Sequence, residues 1–154
     1  MILQKLRTLR SVDAELALLA CEAAVLSTLV SAGFALSGVS RTQTYLKWWA
    51  FRQRNRTVDD QFWIIYAQRA QRQVKRVTGR GGSCLVRSFV LWALLCKRGV
   101  KTDLRIGFRK NGENIEGHAW IEYKGIPLNE DPGVTATYSI SETPYDFDAR
   151  RIKD

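Results

Sequence analysis

The sequence predicts an α+β fold: a helical amino-terminal half, a central helix that opens on a cysteine, and a small antiparallel sheet on which that helix packs. Three observations carry this. Apolar residues recur at helical spacing as far as residue 77, a glycine-rich break follows, and from Leu104 onward the apolar period changes to alternation. At 154 residues, with 45% hydrophobic and 25% charged side chains, the chain suits one domain with a real core and not a disordered segment.

The elements follow in order. Residues 12–32 read as a helix: Asp13 is a plausible cap, and Leu16, Leu19, Ala20, Ala23 and Leu26 fall on one face. Gly33 and Gly38 are expected to loosen its end. A second helix is expected over Thr42–Phe51 and a third over Asp59–Val77, where Phe62, Ile65, Tyr66, Arg69 and Gln73 are helically spaced. The break Thr78-Gly79-Arg80-Gly81-Gly82-Ser83 leads into the apolar run from Cys84 to Gly99. Ser83 suits the N-cap, Lys97 and Arg98 complement the carboxyl end, and Gly99 suits the left-handed position beyond it. With Leu85, Phe89, Trp92, Leu95 and Cys96 leaving little polar surface, this helix belongs at the centre.

Leu104, Ile106 and Phe108 alternate with polar residues as in a half-buried strand, and Asn111-Gly112 predicts a hairpin. The return strand, Ile115–Tyr123, puts His118, Trp120 and Glu122 on one face and Ala119, Ile121 and Tyr123 on the other. Lys124-Gly125 turns into a third strand, Ile126–Leu128. The organisation expected is a single domain, 1–154, with a helical part at 1–77, a core at 78–132 and a tail at 133–154. That tail, through Thr135, Ser141, Pro144 and Asp148, reads as irregular or short helix with little information.

Composition narrows the function classes. Lys and Arg total 24 against 15 Asp and Glu, a formal charge of +9. Part of the excess lies between residues 47 and 80, at Lys47, Arg52, Arg54, Arg56, Arg69, Arg72, Lys75, Arg76 and Arg80; a solvated helix face and an acidic-peptide docking surface both account for it. The three cysteines, Cys21, Cys84 and Cys96, have no CxxC spacing and there is one histidine, so neither a disulfide framework nor a metal site is expected, and a reducing compartment fits. Lys5, Arg7 and Arg10 precede an apolar run from Leu16 to Val39, but Glu15 at its edge and Glu22 within it argue against a signal peptide or anchor, since a carboxylate in hydrocarbon costs roughly 2.5–3.5 kcal/mol. A buried helix, or one against a partner or membrane surface, is expected instead of a stable span.

The chemistry concentrates on two residues. A thiol must become thiolate to attack a carbonyl, and the amino end of a helix favours that charge while offering N–H groups to a developing oxyanion. Cys84 has that position, and His118 is the sole imidazole available as base. Cys21 and Cys96 sit among apolar neighbours and read as core. A third group usually orients the imidazole, and Asn129, Glu130 and Asp131 are near. A two-residue turn at Lys124-Gly125 sets Asp131 opposite His118, whereas a one-residue change there substitutes Glu130. The pattern does not choose between them.

These residues carry a resemblance. Ser83-Cys84-Leu85-Val86-Arg87-Ser88, Leu104-Arg105-Ile106-Gly107-Phe108-Arg109-Lys110, Gly117-His118-Ala119-Trp120-Ile121-Glu122 and Gly125-Ile126-Pro127-Leu128-Asn129 together resemble the lasso peptide leader peptidases. Those are papain/transglutaminase-like cysteine peptidases that remove the leader of a ribosomally made precursor before a partner cyclase closes the ring. The resemblance covers residues 70–132 well and the preceding helices loosely. It implies Cys84 as nucleophile, His118 as base and Glu130 at the place of the family's aspartate, a departure that keeps Asp131 as a rival. It implies no cofactor, a bacterial cytoplasmic location, and three partners: the precursor peptide, a separate leader-recognition protein and an ATP-dependent lasso cyclase. The recognition protein is inferred because the sequence before residue 70 lacks the strands of a fused recognition domain. Two rival readings are a transglutaminase-fold acyltransferase with an amine acceptor, and a non-catalytic basic module in which residues 47–80 bind nucleic acid; no nucleic-acid partner is expected on the main reading.

Overall fold

A computed structural model describes residues 2–52, 59–78 and 82–140, with side chains over 14–52, 59–76 and 82–140. Arg54, Arg56, Arg80, Ser141, Pro144 and Asp148 lie outside the described residues, as do the glycines at 79 and 81 and the side chains of Lys5, Arg7, Arg10 and Asp13.

The amino-terminal half is helical as expected, with different boundaries. Helix α1 (Ile2–Arg52) runs without a break at Gly33, and Asp13 lies inside it instead of capping it. The one interruption is Gly38, at φ 77 and ψ 170. That conformation is open to glycine and strained for other residues. The Thr42 hydroxyl donates to the Gly38 carbonyl at 2.8 Å, which satisfies an acceptor at the kink. The kink brings the two arms together: a Cβ on Gly33 would lie 2.7 Å from Thr42 Oγ1. Leu19, Ala23, Leu26 and Val30 line one buried face of the first arm, where the spacing placed them.

The opposite side of α1 is exposed, which corrects the core reading of Cys21. Leu18, Val25, Leu29 and Leu36 are 59–86% exposed, and Cys21 is exposed instead of in the core. By length and composition alone, Ala14–Arg52 is a helix long and apolar enough to cross a membrane. Within it, Glu22 reaches Lys97 at 2.5 Å and Arg98 at 2.9 Å, so its carboxylate binds α1 to the carboxyl end of α3 (Cys84–Lys97). Phe34 meets Phe89 edge to face, ring centroids 5.3 Å apart, and adds an apolar tie between the same two helices.

Helix α2 (Asp60–Thr78) is capped by Asp59, whose side chain accepts from Phe62 N at 3.1 Å. Its buried face is Ile64, Tyr66, Ala67 and Ala70, so the apolar stripe is rotated from the one expected: Ile65 and Arg69 point outward. Helix α3 is central, as its composition requires. Nearly every residue from Val86 to Cys96 is buried, and each large apolar side chain removed from water there stabilises by about 1.5–3 kcal/mol. Both of its ends follow the sequence. Ser83 accepts from Val86 N, and Gly99 at φ 81 closes a Schellman pair, Gly99 N to Cys96 O at 2.9 Å and Val100 N to Leu95 O at 3.0 Å.

The sheet is antiparallel with order β3-β2-β1-β4, from β1 (Asp103–Asn111), β2 (Asn114–Tyr123), β3 (Ile126–Leu128) and β4 (Ser139–Ile140). Asn111 pairs with Asn114, so the first turn is Gly112-Glu113, one residue beyond the dipeptide that predicted it. The second is Lys124-Gly125, at φ 51 and 77, the left-handed pair that a two-residue hairpin prefers. Between Pro132 and Ile140 the expected short helix is present, α4 (Val134–Thr137), and it leads into a strand that was not expected, β4, which pairs Gly107 with Ile140 and Phe108 with Ser139.

Candidate active site

Cys84 is the first residue of α3, half-buried, and preceded by Gly82 at φ 69 and the Ser83 cap. Ser83 occupies the Val86 N–H; the N–H groups of Cys84 and Leu85 precede the first intrahelical acceptor and have no carbonyl of their own helix to bond. Two residues of the next turn fix this helix end in the fold. Ser88 Oγ, one turn from Cys84 on the same face, donates to Ala119 O at 2.9 Å in a buried bond, which docks α3 beside His118. Arg87, three residues from Cys84, reaches Glu130 at 4.0 Å.

His118 lies on β2 opposite Gly107 of β1, with its side chain 19% exposed. Its Nε2 is 3.3 Å from Glu130 Oε1. The Glu130 carboxylate therefore faces the Nε2 side of the ring. The His118 ring stacks with Tyr138, centroids 5.2 Å apart, and with Trp120 at 6.1 Å. Trp120 is held in turn by its indole N–H on Glu122 at 2.9 Å, and Arg105 pairs with the same carboxylate at 3.0 Å. The expected face of His118, Trp120 and Glu122 is therefore a connected side-chain row. Gly107 makes room for it: a Cβ there would lie 2.8 Å from Tyr138 Cβ and 3.0 Å from the Trp120 ring.

Glu130 reaches His118 by a route the pairing count did not contain. The turn has two residues and Ile121 pairs with Leu128, so continued pairing sets Asp131 opposite His118. Pairing ends at Leu128, and Asn129 at φ 61 redirects the chain, which presents Glu130 instead. Asp131 has another partner: its Oδ1 accepts from Gly133 N at 2.8 Å and shapes the turn into α4. Asn129 is itself anchored, its Nδ2 donating to Gln71 Oε1 at 3.2 Å while Gln71 Nε2 donates to Arg87 O at 2.6 Å.

Sequence reasoning assigned no role to Tyr138, Gln71 or Arg87. Arg87 had a signal, its i+3 spacing from Cys84. Tyr138 and Gln71 had none, because their neighbours are remote in sequence. At the far end of the hairpin, Arg109 lies over the Tyr138 ring at 5.0 Å. A hydrogen bond from Asn111, and then Arg109, hold the Glu116 carboxyl below its ordinary range. Among the described residues, no group of three His, Cys, Asp or Glu is placed to hold a metal. A cleft of about 510 Å³ adjoins Glu130; Gln71, Arg72 and Lys75 of α2 form one wall, and Arg87 and Trp120 also line it.

A thiol at a helix start, an imidazole on the strand beside it and a carboxylate on that imidazole are the parts of a cysteine-based acyl transfer site. The family model of the transglutaminase-like superfamily matches residues 28–143, from within α1 to just past β4. The chain belongs to the transglutaminase-like superfamily. This superfamily includes cysteine peptidases and acyltransferases, and its fold is usually enzymatic. The superfamily match is wider than the expected core of residues 78–132, since it takes in part of α1, all of α2 and the segment carrying Tyr138. No curated protein and no solved structure gives a significant match to the chain.

Proposed function

We propose that the chain is a cysteine peptidase that removes the leader peptide from a lasso peptide precursor in the bacterial cytoplasm, before a partner enzyme cyclises the product. The observation that carries the catalytic part is the His118–Glu130 pair at 3.3 Å on the strand where the first turns of the Cys84 helix dock. The four quoted segments that resemble the leader peptidases support the substrate.

In this reading His118 takes the Cys84 proton and the thiolate attacks the carbonyl at the leader–core junction. The N–H groups at the start of α3 stabilise the oxyanion. The protonated imidazole, held by Glu130, gives its proton to the leaving amine; water then hydrolyses the thioester. No metal or cofactor enters. The partners are the precursor, a separate leader-recognition protein and an ATP-dependent cyclase.

The test is mass-spectrometric analysis of a matched precursor incubated with the chain, with and without the recognition protein. Cleavage at the leader–core junction is expected, faster with the recognition protein because it concentrates the leader near Cys84, and abolished in folded Cys84→Ala. Undiminished cleavage by Cys84→Ala overturns the nucleophile. The superfamily also includes acyltransferases, so an added amine is the second arm: incorporation of the amine in place of water makes the chain a transferase.

A further inference from the structure

The cleft beside Glu130 has an asymmetric charge pattern. Its carboxylates, Glu130 and Asp131, lie together on the loop after β3, and both are engaged: Glu130 with His118 and Arg87, Asp131 with the Gly133 N–H. The facing wall is α2, where Arg72 and Lys75 line the cleft, are exposed, and make no ion pair among the described residues. Arg69 and Arg76, also exposed on α2, extend the same positive field. Between the walls lie apolar side chains, Leu91, Trp120 and Leu128.

An extended peptide fits a groove of this kind, with apolar contact along the floor and one rim that attracts carboxylates. Glu130 lines the cleft while Cys84 and His118 do not, so whatever occupies it lies beside the carboxylate that pairs with the candidate base. We propose that this cleft is a substrate subsite that binds an acidic stretch of the peptide, with Arg72 and Lys75 as its recognition residues. The inference rests on the peptidase reading and deepens it by naming the substrate's charge. It also separates the basic residues between 47 and 80: Arg72 and Lys75 face the groove, whereas Arg52 lies over Trp48 on α1.

The test uses fluorescence anisotropy with the Cys84→Ala chain and two fluorescein-labelled peptides of the same glycine–serine scaffold, one carrying four Glu and the other four Gln. The Glu peptide is expected to bind more tightly, with a preference that shrinks as salt is raised. The double variant Arg72→Gln/Lys75→Gln should weaken the Glu peptide by roughly tenfold and leave the Gln peptide unchanged. A second pair, Lys101→Gln/Lys110→Gln, removes the same charge from positions that do not line the cleft and should change binding by less than about twofold. Equal binding of the two peptides, or equal weakening by the two double variants, overturns the subsite and leaves only attraction by net charge. Because the measurement needs no turnover, its failure leaves leader cleavage standing, whereas docking of the Glu peptide at Arg72 and Lys75 together with no cleavage of a matched precursor by the unmutated chain and its recognition protein sinks the peptidase reading alone.

Discussion

Glu130 and Asp131 are adjacent carboxylates with different work, and a single left-handed residue, Asn129 at φ 61, separates their roles. Glu130→Gln keeps the side-chain shape but removes the charge that stabilises imidazolium and fixes its tautomer, so single-turnover cleavage should slow by roughly 100-fold or more. Asp131→Asn retains Oδ1 as acceptor for Gly133 N and should slow it by less than about threefold. The reverse order, in folded proteins, would assign the orienting role to Asp131. Cysteine behaves as its surroundings dictate at each site. Cys84 meets a helix start, Cys96 is buried at the end of the central helix, and Cys21 lies on the outer side of α1. The legible part at this scale was the placement of Cys84 at a helix start and of His118 on a strand, because both are local features. The strand pattern alone left the acid open, since the choice turns on one dihedral after the last ladder pair, and only the resemblance pointed to Glu130.

Between elements, two contacts hold the site. Gln71 of α2 bridges the Arg87 carbonyl of α3 and the Asn129 side chain, so it sets the spacing between the Cys84 helix and the loop that presents Glu130. Gln71→Leu conserves volume and removes both bonds. It is expected to lower kcat by roughly threefold to tenfold with KM little changed, and to be non-additive with Glu130→Gln. Additive losses in that double-mutant cycle would make Gln71 merely structural. The second contact is the close approach at Gly107, where Tyr138 and Trp120 occupy the space of a side chain. Gly107→Ala should cost about 1–3 kcal/mol through overpacking and should displace the rings beside His118. Thermal denaturation and turnover should fall together; an unchanged Tm would show that the tail moves aside without cost.

For the molecule as a whole, the ion triad of Glu22 with Lys97 and Arg98 is the polar tie between α1 and the central helix. All three side chains are at most 25% exposed, so removing the shared carboxylate takes away a partly buried ion-pair partner from both cations. Glu22→Gln should lower stability by about 1–3 kcal/mol, seen as a lower urea midpoint with unchanged m-value. A shift within error would mean that the apolar contacts of Leu19, Leu26 and Val30 alone hold α1 in place. This same carboxylate argued against a membrane span at the level of sequence. Its salt bridges supply a reason for a charge within the apolar run from Leu16 to Val39.

The sequence by itself determined the α+β class, the three helical stretches of the amino-terminal half, the caps of α3, the strands of the hairpin, and the positions of Cys84 at a helix start and His118 on a strand. Each of these depends on residues within a turn or two of one another: Ser83 on Val86, Gly99 on Cys96, the alternation around His118 on its own strand. Tertiary structure decided what distant segments do when they meet. It placed Tyr138 on the His118 ring, set Gln71 between α3 and the acid loop, turned one side of α1 outward with Cys21 on it, and presented Glu130 ahead of Asp131. The physical reason is the same in each case. Local pattern reports which face of an element is apolar, but which partner covers that face, and the direction in which a chain leaves the last ladder pair, depend on packing across contacts that no local pattern contains.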